Sequence, residues 1–183
     1  MKGIVFTEFL EMVEKEHGIL AVDSLTSLAG LHNSGAYTSI GTYPHTDMLA
    51  MVGKLSELID VPPDELTLTF GRYLFKSFKA HYDSFFVNVH DSKTFLSGIE
   101  TVIHTEVRKL YPDASLPSFE CISDATGLTM VYKSDKPFAD LAEGLILGCL
   151  DHFSDNHTYV RQPGPSNDAT SAVFIIRERE NYA

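Results

Sequence analysis

The sequence predicts an α+β fold, a mainly helical first part packed on a second part that carries a small antiparallel sheet of about four strands. Three observations predict it. Apolar residues recur at helical spacing as far as Tyr111, then alternate from Ser118 onward. The second half runs hairpin, helix, hairpin, an order that suits antiparallel pairing. The chain has 183 residues, of which 44% are hydrophobic and 21% charged, enough for a sizeable core and unlike a disordered chain.

Taken in order, Val5, Phe6, Phe9, Leu10 and Val13 mark a first helix, and Gly18 is its stop. A second helix is expected from Ala21 to about Leu31, followed by the turn-rich stretch HNSGAYTSIGTYPH. Thr46 is placed to cap a third helix carrying Leu49, Val52, Leu55 and Leu58. Pro62 and Pro63 end that region, and Pro63 with the acidic pair Asp64-Glu65 opens a fourth helix through Leu66, Phe70, Leu74, Phe75 and Phe78. A further helix is expected from about Lys93 to Tyr111. Ser118–Ile122 and Leu128–Lys133 read as strands joined at Ser123–Gly127. Phe138–Phe153 returns to helical period, with Leu141, Leu145, Ile146 and Leu150 facing inward. His157–Gln162 and Ser171–Arg177 form the last two strands around the turn PGPSND. No repeat or linker divides the chain, so residues 1–183 are expected as one domain of two lobes, roughly 1–64 and 65–183.

Composition excludes several functions. The formal net charge of −11 repels phosphate backbones, so no nucleic-acid partner is expected. No apolar run approaches the about 18 residues of a membrane span, and the opening MKGIVFTEFLEMVEKEHG is interrupted by glutamates where a signal peptide would be continuously apolar. Cys121 and Cys149 are too few for a disulfide framework, and a cytoplasmic protein with reduced thiols is expected. The chain contains no GxSxG elbow, no Walker A loop and no GxGxxG after a strand, so it is not expected to be an enzyme.

Two clusters could carry chemistry. Asp151, His152 and His157 lie in DHFSDNH, but the histidines are five apart where helical ligand pairs sit four apart; a small metal-dependent enzyme is an alternative reading there. His104 lies mid-helix in GIETVIHTEVRKLY, where spacing allows either a hydrogen-bonded histidine or an iron ligand through Nε2. In TMVYKSDKPF, Tyr132, Ser134 and Lys136 alternate and so share one face of an extended strand. That face is either a solvated strand end or a donor-rich surface for carboxylates.

Several segments taken together resemble the H-NOX family of haem nitric oxide/oxygen binding domains. They are MKGIVFTEFLEMVEKEHG, TYPHTDMLAMVGKLSELIDVPPDELTLTFGRYLFKSF, VIHTEVRKLYPDASLPSFEC, YKSDK and LAEGLILGCLDHF, and they span almost the whole chain. The resemblance implies haem b as cofactor, with His104 as the proximal iron ligand. It implies that Tyr132 and Ser134 hold the haem propionates as part of the family's Tyr-x-Ser-x-Arg motif. This chain departs from that motif with Lys136, a point charge in place of a planar fork. Pro117 matches the proline that presses on and distorts the porphyrin. Ile4, Val5, Phe9, Phe78, Leu141 and Leu145 are implied for the distal pocket, with Leu141 where oxygen-binding members carry a hydrogen-bonding tyrosine. The implied function is a sensor of nitric oxide, and of CO, that excludes O2 and signals by contact to a histidine kinase or a cyclic-di-GMP enzyme. A haem-free interaction domain of the same fold is the competing reading.

Overall fold

The computed structural model describes residues 1–28 and 30–179. Helix α1 (Gly3–His17) buries Phe6, Phe9, Met12 and Val13, spaced to share one face. Gly18, at φ 82°, ends it, and α2 (Ile19–Thr26) starts at once. This second helix begins and ends earlier than the periodicity suggests. The Ser24 and Thr26 hydroxyls bond back to the carbonyls of Leu20 and Val22, which weakens further winding. Ala29, inside the expected helix, lies outside the described residues.

Helix α3 (His45–Ile59) is not capped by Thr46. Pro44 occupies the cap position, and Asp47 in the first turn instead accepts from the His32 amide at 2.9 Å and the Tyr37 hydroxyl at 2.9 Å, tying the preceding turns to the helix. Met48, Met51, Val52 and Leu55 face inward, whereas Leu49 and Leu58 are exposed. Helix α4 (Pro63–His81) starts at Pro63, whose missing N–H costs nothing there.

The helix expected over 93–111 is three pieces. Asp91 caps α5 (Ser92–Ser97) by accepting from the Thr94 amide at 2.7 Å. After Gly98 comes a π-helical turn, Ile99–Ile103, and then α6 (His104–Leu110). The turn is rich in β-branched residues, which lose side-chain freedom in a helix and favour the break.

Strands β1 (Ser118–Asp124), β2 (Gly127–Lys133), β3 (His157–Pro163) and β4 (Ser171–Glu178) form one antiparallel sheet in the order β1-β2-β4-β3. The β1–β2 turn is tighter than expected because the Asp124 carboxylate gathers the amides of Thr126 and Gly127. Helix α7 (Ala139–Phe153) crosses between the hairpins.

Two apolar clusters result. Phe6, Phe9, Met51, Leu55, Phe70 and Leu74 centre the first, while Leu128, Met130, Phe174 and Ile176 of the sheet centre the second. Helices α4 and α7 contribute to both, α4 through Phe70 and Phe75 and α7 through Leu141 and Ile146. They pack closely because a Cβ on Gly144 would stand 2.1 Å from the Leu68 carbonyl oxygen, so only glycine fits. No helix among the described residues is long and apolar enough to cross a membrane.

Candidate haem pocket

Between the two clusters lies a cavity of about 300 Å³. Helices α1, α4 and α7 line it only with hydrocarbon: Ile4 and Val5; Leu74, Phe75 and Phe78; Leu141, Ala142, Leu145 and Ile146. Ile4, Val5, Phe78, Leu141 and Leu145, the residues the family resemblance implies, thus line one cavity. Phe9 is not. It is fully buried behind the cavity, edge-on to Phe70 at 5.1 Å, because its place on α1 points into the first cluster.

The opposite wall is built by the π-helical turn, α6 and the segment leading to β1, through Ile99, Ile103, His104, Val107, Leu116 and Pro117. His104 is 9% exposed. Its Nδ1 lies 3.0 Å from Glu100 Oε2. Among the described residues its Nε2 has no hydrogen-bond partner, and the ring lines the cavity. Burial lowers the imidazole pKa, opposed by the Glu100 hydrogen bond and charge, and Arg108 lowers it further. The balance keeps His104 neutral, which a metal ligand requires. Burial alone would raise the Glu100 pKa. Hydrogen bonds from Arg108, His104 and the Phe119 amide outweigh it and hold the carboxyl below its usual range.

Polar groups gather at one rim of the cavity. Tyr132 comes from β2, whereas Ser134 and Lys136 lie beyond the end of that strand at Lys133, outside the shared strand face that alternation suggests; all three line the cavity, as do Ser115, Lys2 and Tyr111. Ser134 is pinned by its amide, which donates to Thr170 O at 2.9 Å, and its hydroxyl accepts from the Lys136 amide at 3.0 Å. Lys136 Nζ donates to Asp135 Oδ1 at 2.7 Å and to Ser115 Oγ at 2.8 Å. Burial raises the Tyr132 pKa, with the Ser134 hydroxyl working the other way, so the phenol stays protonated and a donor. Tyr82 also lines the cavity. Its pKa is raised first by burial and then by the neighbouring Tyr111.

Sequence reasoning passed over Glu100, Arg108, Lys2, Ser115 and the aromatic floor of Phe86, Phe95 and Phe119. The Glu100–His104 and His104–Arg108 spacings of four were the available signal. The second cluster singled out in the sequence behaves differently. Asp151 pairs with Arg72, His152 packs among Phe75, Phe86 and Phe153, and His157 sits beside Asp155. Among the described residues no group of three or more histidine, cysteine or acidic side chains is placed to hold a metal ion.

A neutral histidine that turns Nε2 toward an apolar chamber, with the hydroxyl and ammonium donors that also line it, forms a donor set that fits haem, as a haem-binding protein requires. Residues 2–160 match the sequence profile of the haem-NO-binding family, and the chain belongs to that family, the H-NOX proteins, which are haem-based gas sensors and not enzymes. The fold is similar to that of the Fe(II) unliganded H-NOX protein from K. algicida, with a TM-score of 0.90 at 38% identity over 100% of this chain and 99% of that one. It is similar to the Shewanella woodyi H-NOX solved in solution with IWP-051 in the Fe(II)CO state, with a TM-score of 0.84 at 38% identity over 100% and 97%. The S. oneidensis H-NOX in the Fe(II)NO state shares the fold, with a TM-score of 0.89 at 24% identity over 98% and 100%. No curated protein matches the chain.

Proposed function

We propose that this chain is a nitric oxide sensor that also takes CO and excludes O2, using haem b held by His104. The observation that carries the reading is the asymmetry of the cavity. One wall offers a single neutral imidazole nitrogen, and the facing helices α1, α4 and α7 offer no hydrogen-bond donor. When bound, haem would supply a ferrous iron able to take a diatomic gas. His104 would hold the iron through Nε2, Tyr132, Ser134 and Lys136 would hold the propionates, and Pro117 would press on the ring. Leu141 stands over the gas side, where dioxygen, which carries partial negative charge when bound, finds no donor to stabilise it. Nitric oxide needs no such help.

His104 is also the lever. It begins α6 directly after the π-helical turn, so any change in its hold on a bound haem would be passed to that short helix. The moving surface then reports by contact, to a histidine kinase or a cyclic-di-GMP enzyme, in the cytoplasm. Both cysteines are free thiols, as suits a reducing compartment.

Spectra of the ferrous protein test the reading. A shifted Soret band with NO, and no stable complex in air, are expected. Leu141→Tyr should then create a dioxygen complex, since a hydrogen bond to a charged acceptor contributes about 1.5–3 kcal/mol. A wild-type protein that holds dioxygen in air would sink the exclusion claim, and a colourless protein that takes up no haem would sink the whole reading.

A further inference from the structure

Glu100 sits in the π-helical turn and joins three elements. Its Oε2 lies 3.0 Å from His104 Nδ1 and accepts from the backbone N–H of Phe119 on β1 at 3.3 Å. Its Oε1 accepts from Arg108 Nη2 on α6 at 2.9 Å. The His104 side chain is 11% exposed and that of Glu100 31%, so this junction is largely shielded from water. A carboxylate can only accept, which places the proton on Nδ1 and leaves the lone pair of Nε2 on the cavity side.

We propose that Glu100 is a positioning residue that sets how firmly His104 holds iron and ties that hold to the edge of the sheet. The proposal rests on the reading of His104 as the iron ligand. An anionic acceptor on Nδ1–H draws the proton toward itself and raises the electron density at Nε2, making the nitrogen a stronger donor. Arg108 works against this, because its guanidinium shares the same carboxylate and drains charge from it. The Phe119 bond adds a mechanical restraint. His104 cannot turn away from the cavity without disturbing an acceptor that also completes the backbone of β1. Glu100 therefore restrains the release of His104, and Arg108 tempers the restraint.

The test uses the full chain loaded with ferrous haem and compares Glu100→Ala, Glu100→Gln and Arg108→Met with the parent. Two quantities are read: the iron–histidine stretching band by resonance Raman, and the rate at which NO-treated protein loses its histidine ligand, from the Soret band. Glu100→Ala should lower the stretch and speed ligand loss by about tenfold, the size of one charge-assisted hydrogen bond. Glu100→Gln should move both in the same direction by less, since a neutral amide oxygen still accepts. Arg108→Met should move both the opposite way. Opposite signs separate the proposal from a general loosening of the fold, which would shift all three variants alike. His104→Gly with and without added imidazole is the control. If that variant loses haem, regains it with imidazole, and the Glu100 and Arg108 variants leave band and rate unchanged, the Glu100 proposal alone is overturned. If His104→Gly keeps haem and spectrum unaltered, the reading of His104 fails first.

Discussion

The two long walls of the cavity are held in place by different physics. The helical wall is part of a core: α4 buries Leu66, Thr67, Phe70, Gly71, Leu74 and Phe75, and α7 buries seven residues along its length. On the facing wall no residue of the π-helical turn is buried, and His104 is the one buried residue of α6. Polar ties hold that wall instead, through Glu100 to Phe119 and Arg108, while Val102 points outward at 51% exposure. Apolar burial is insensitive to orientation and spreads over many contacts; a few hydrogen bonds are directional and can be exchanged one at a time. The difference teaches where the molecule can move. The proposed movement draws on this difference, with the well-buried helical wall as its reference and the sparsely buried histidine wall as the part that would shift.

Truncating one side chain behind the helical wall and one on the histidine segment gives the largest test of that contrast. Phe9→Ala should cost about 3–5 kcal/mol, the usual price of a cavity left by a fully buried aromatic ring. Because Phe9 stands behind the lining with Phe70, the spectrum of the haem-loaded variant should not move. Val102→Ala should cost less than about 0.5 kcal/mol, as an exposed site does. Urea titrations measure both. Equal losses from the two variants would mean that the histidine wall is as much a part of the core as α1.

How far the sequence reveals this arrangement depends on which wall is read. Helical periodicity located α1, α4 and α7 because burial itself writes that pattern, and strand alternation located all four strands. Periodicity could not separate Phe9 from Ile4 and Val5, since core and cavity lining are apolar alike and only the tilt of α1 decides which faces the chamber. The break of the 93–111 segment was equally hidden. A π-helical turn keeps apolar residues near helical spacing and shifts them by one position, a change smaller than the pattern resolves. The triplet Tyr132, Ser134 and Lys136 alternates in sequence, but a solvated strand end reads the same way, the strand stops at Lys133, and nothing local shows that Ser115 and Lys2 come from distant segments to meet it.

A smaller effect is expected where the helical wall is closed. A Cβ on residue 144 would stand 2.1 Å from Leu68 O and 2.8 Å from Gly71 Cα, so Gly144→Ala must push α7 off α4. The expected loss is about 1–3 kcal/mol by overpacking. Leu141 and Leu145 flank the site, so the CO stretching band of the loaded protein should shift as well. Gly53→Ala on α3 meets nothing within 4 Å and should instead stabilise by up to about 1 kcal/mol through helix propensity. If Gly144→Ala were as benign as Gly53→Ala, the α4–α7 contact would be adjustable, and the helical wall could not serve as the fixed reference.

The smallest effect belongs to Lys136 at the rim. Lys136 Nζ is bonded to the Asp135 carboxylate and the Ser115 hydroxyl, with its side chain only 13% exposed. Its hydrogen bond, rather than its charge at a distance, is the first cause holding the exposed Asp135 carboxyl below the usual range. A depressed carboxyl pKa stabilises the fold above its ordinary titration range, and the effect is lost as pH falls through the folded value. Lys136→Met should therefore let Asp135 titrate closer to its ordinary range, visible by NMR in the haem-free protein. In the proposed haem-bound form a propionate would compete with Asp135 for the same ammonium. Lys136→Arg offers a planar fork that can serve both acceptors at once, and haem transfer to an acceptor globin should slow by a few-fold, within the ~0–1 kcal/mol typical of exposed ion pairs. Unchanged transfer in both Lys136→Arg and Lys136→Met would assign the hold on the propionates to Tyr132 and Ser134, which the sheet fixes in place, and leave Lys136 as the partner of Asp135.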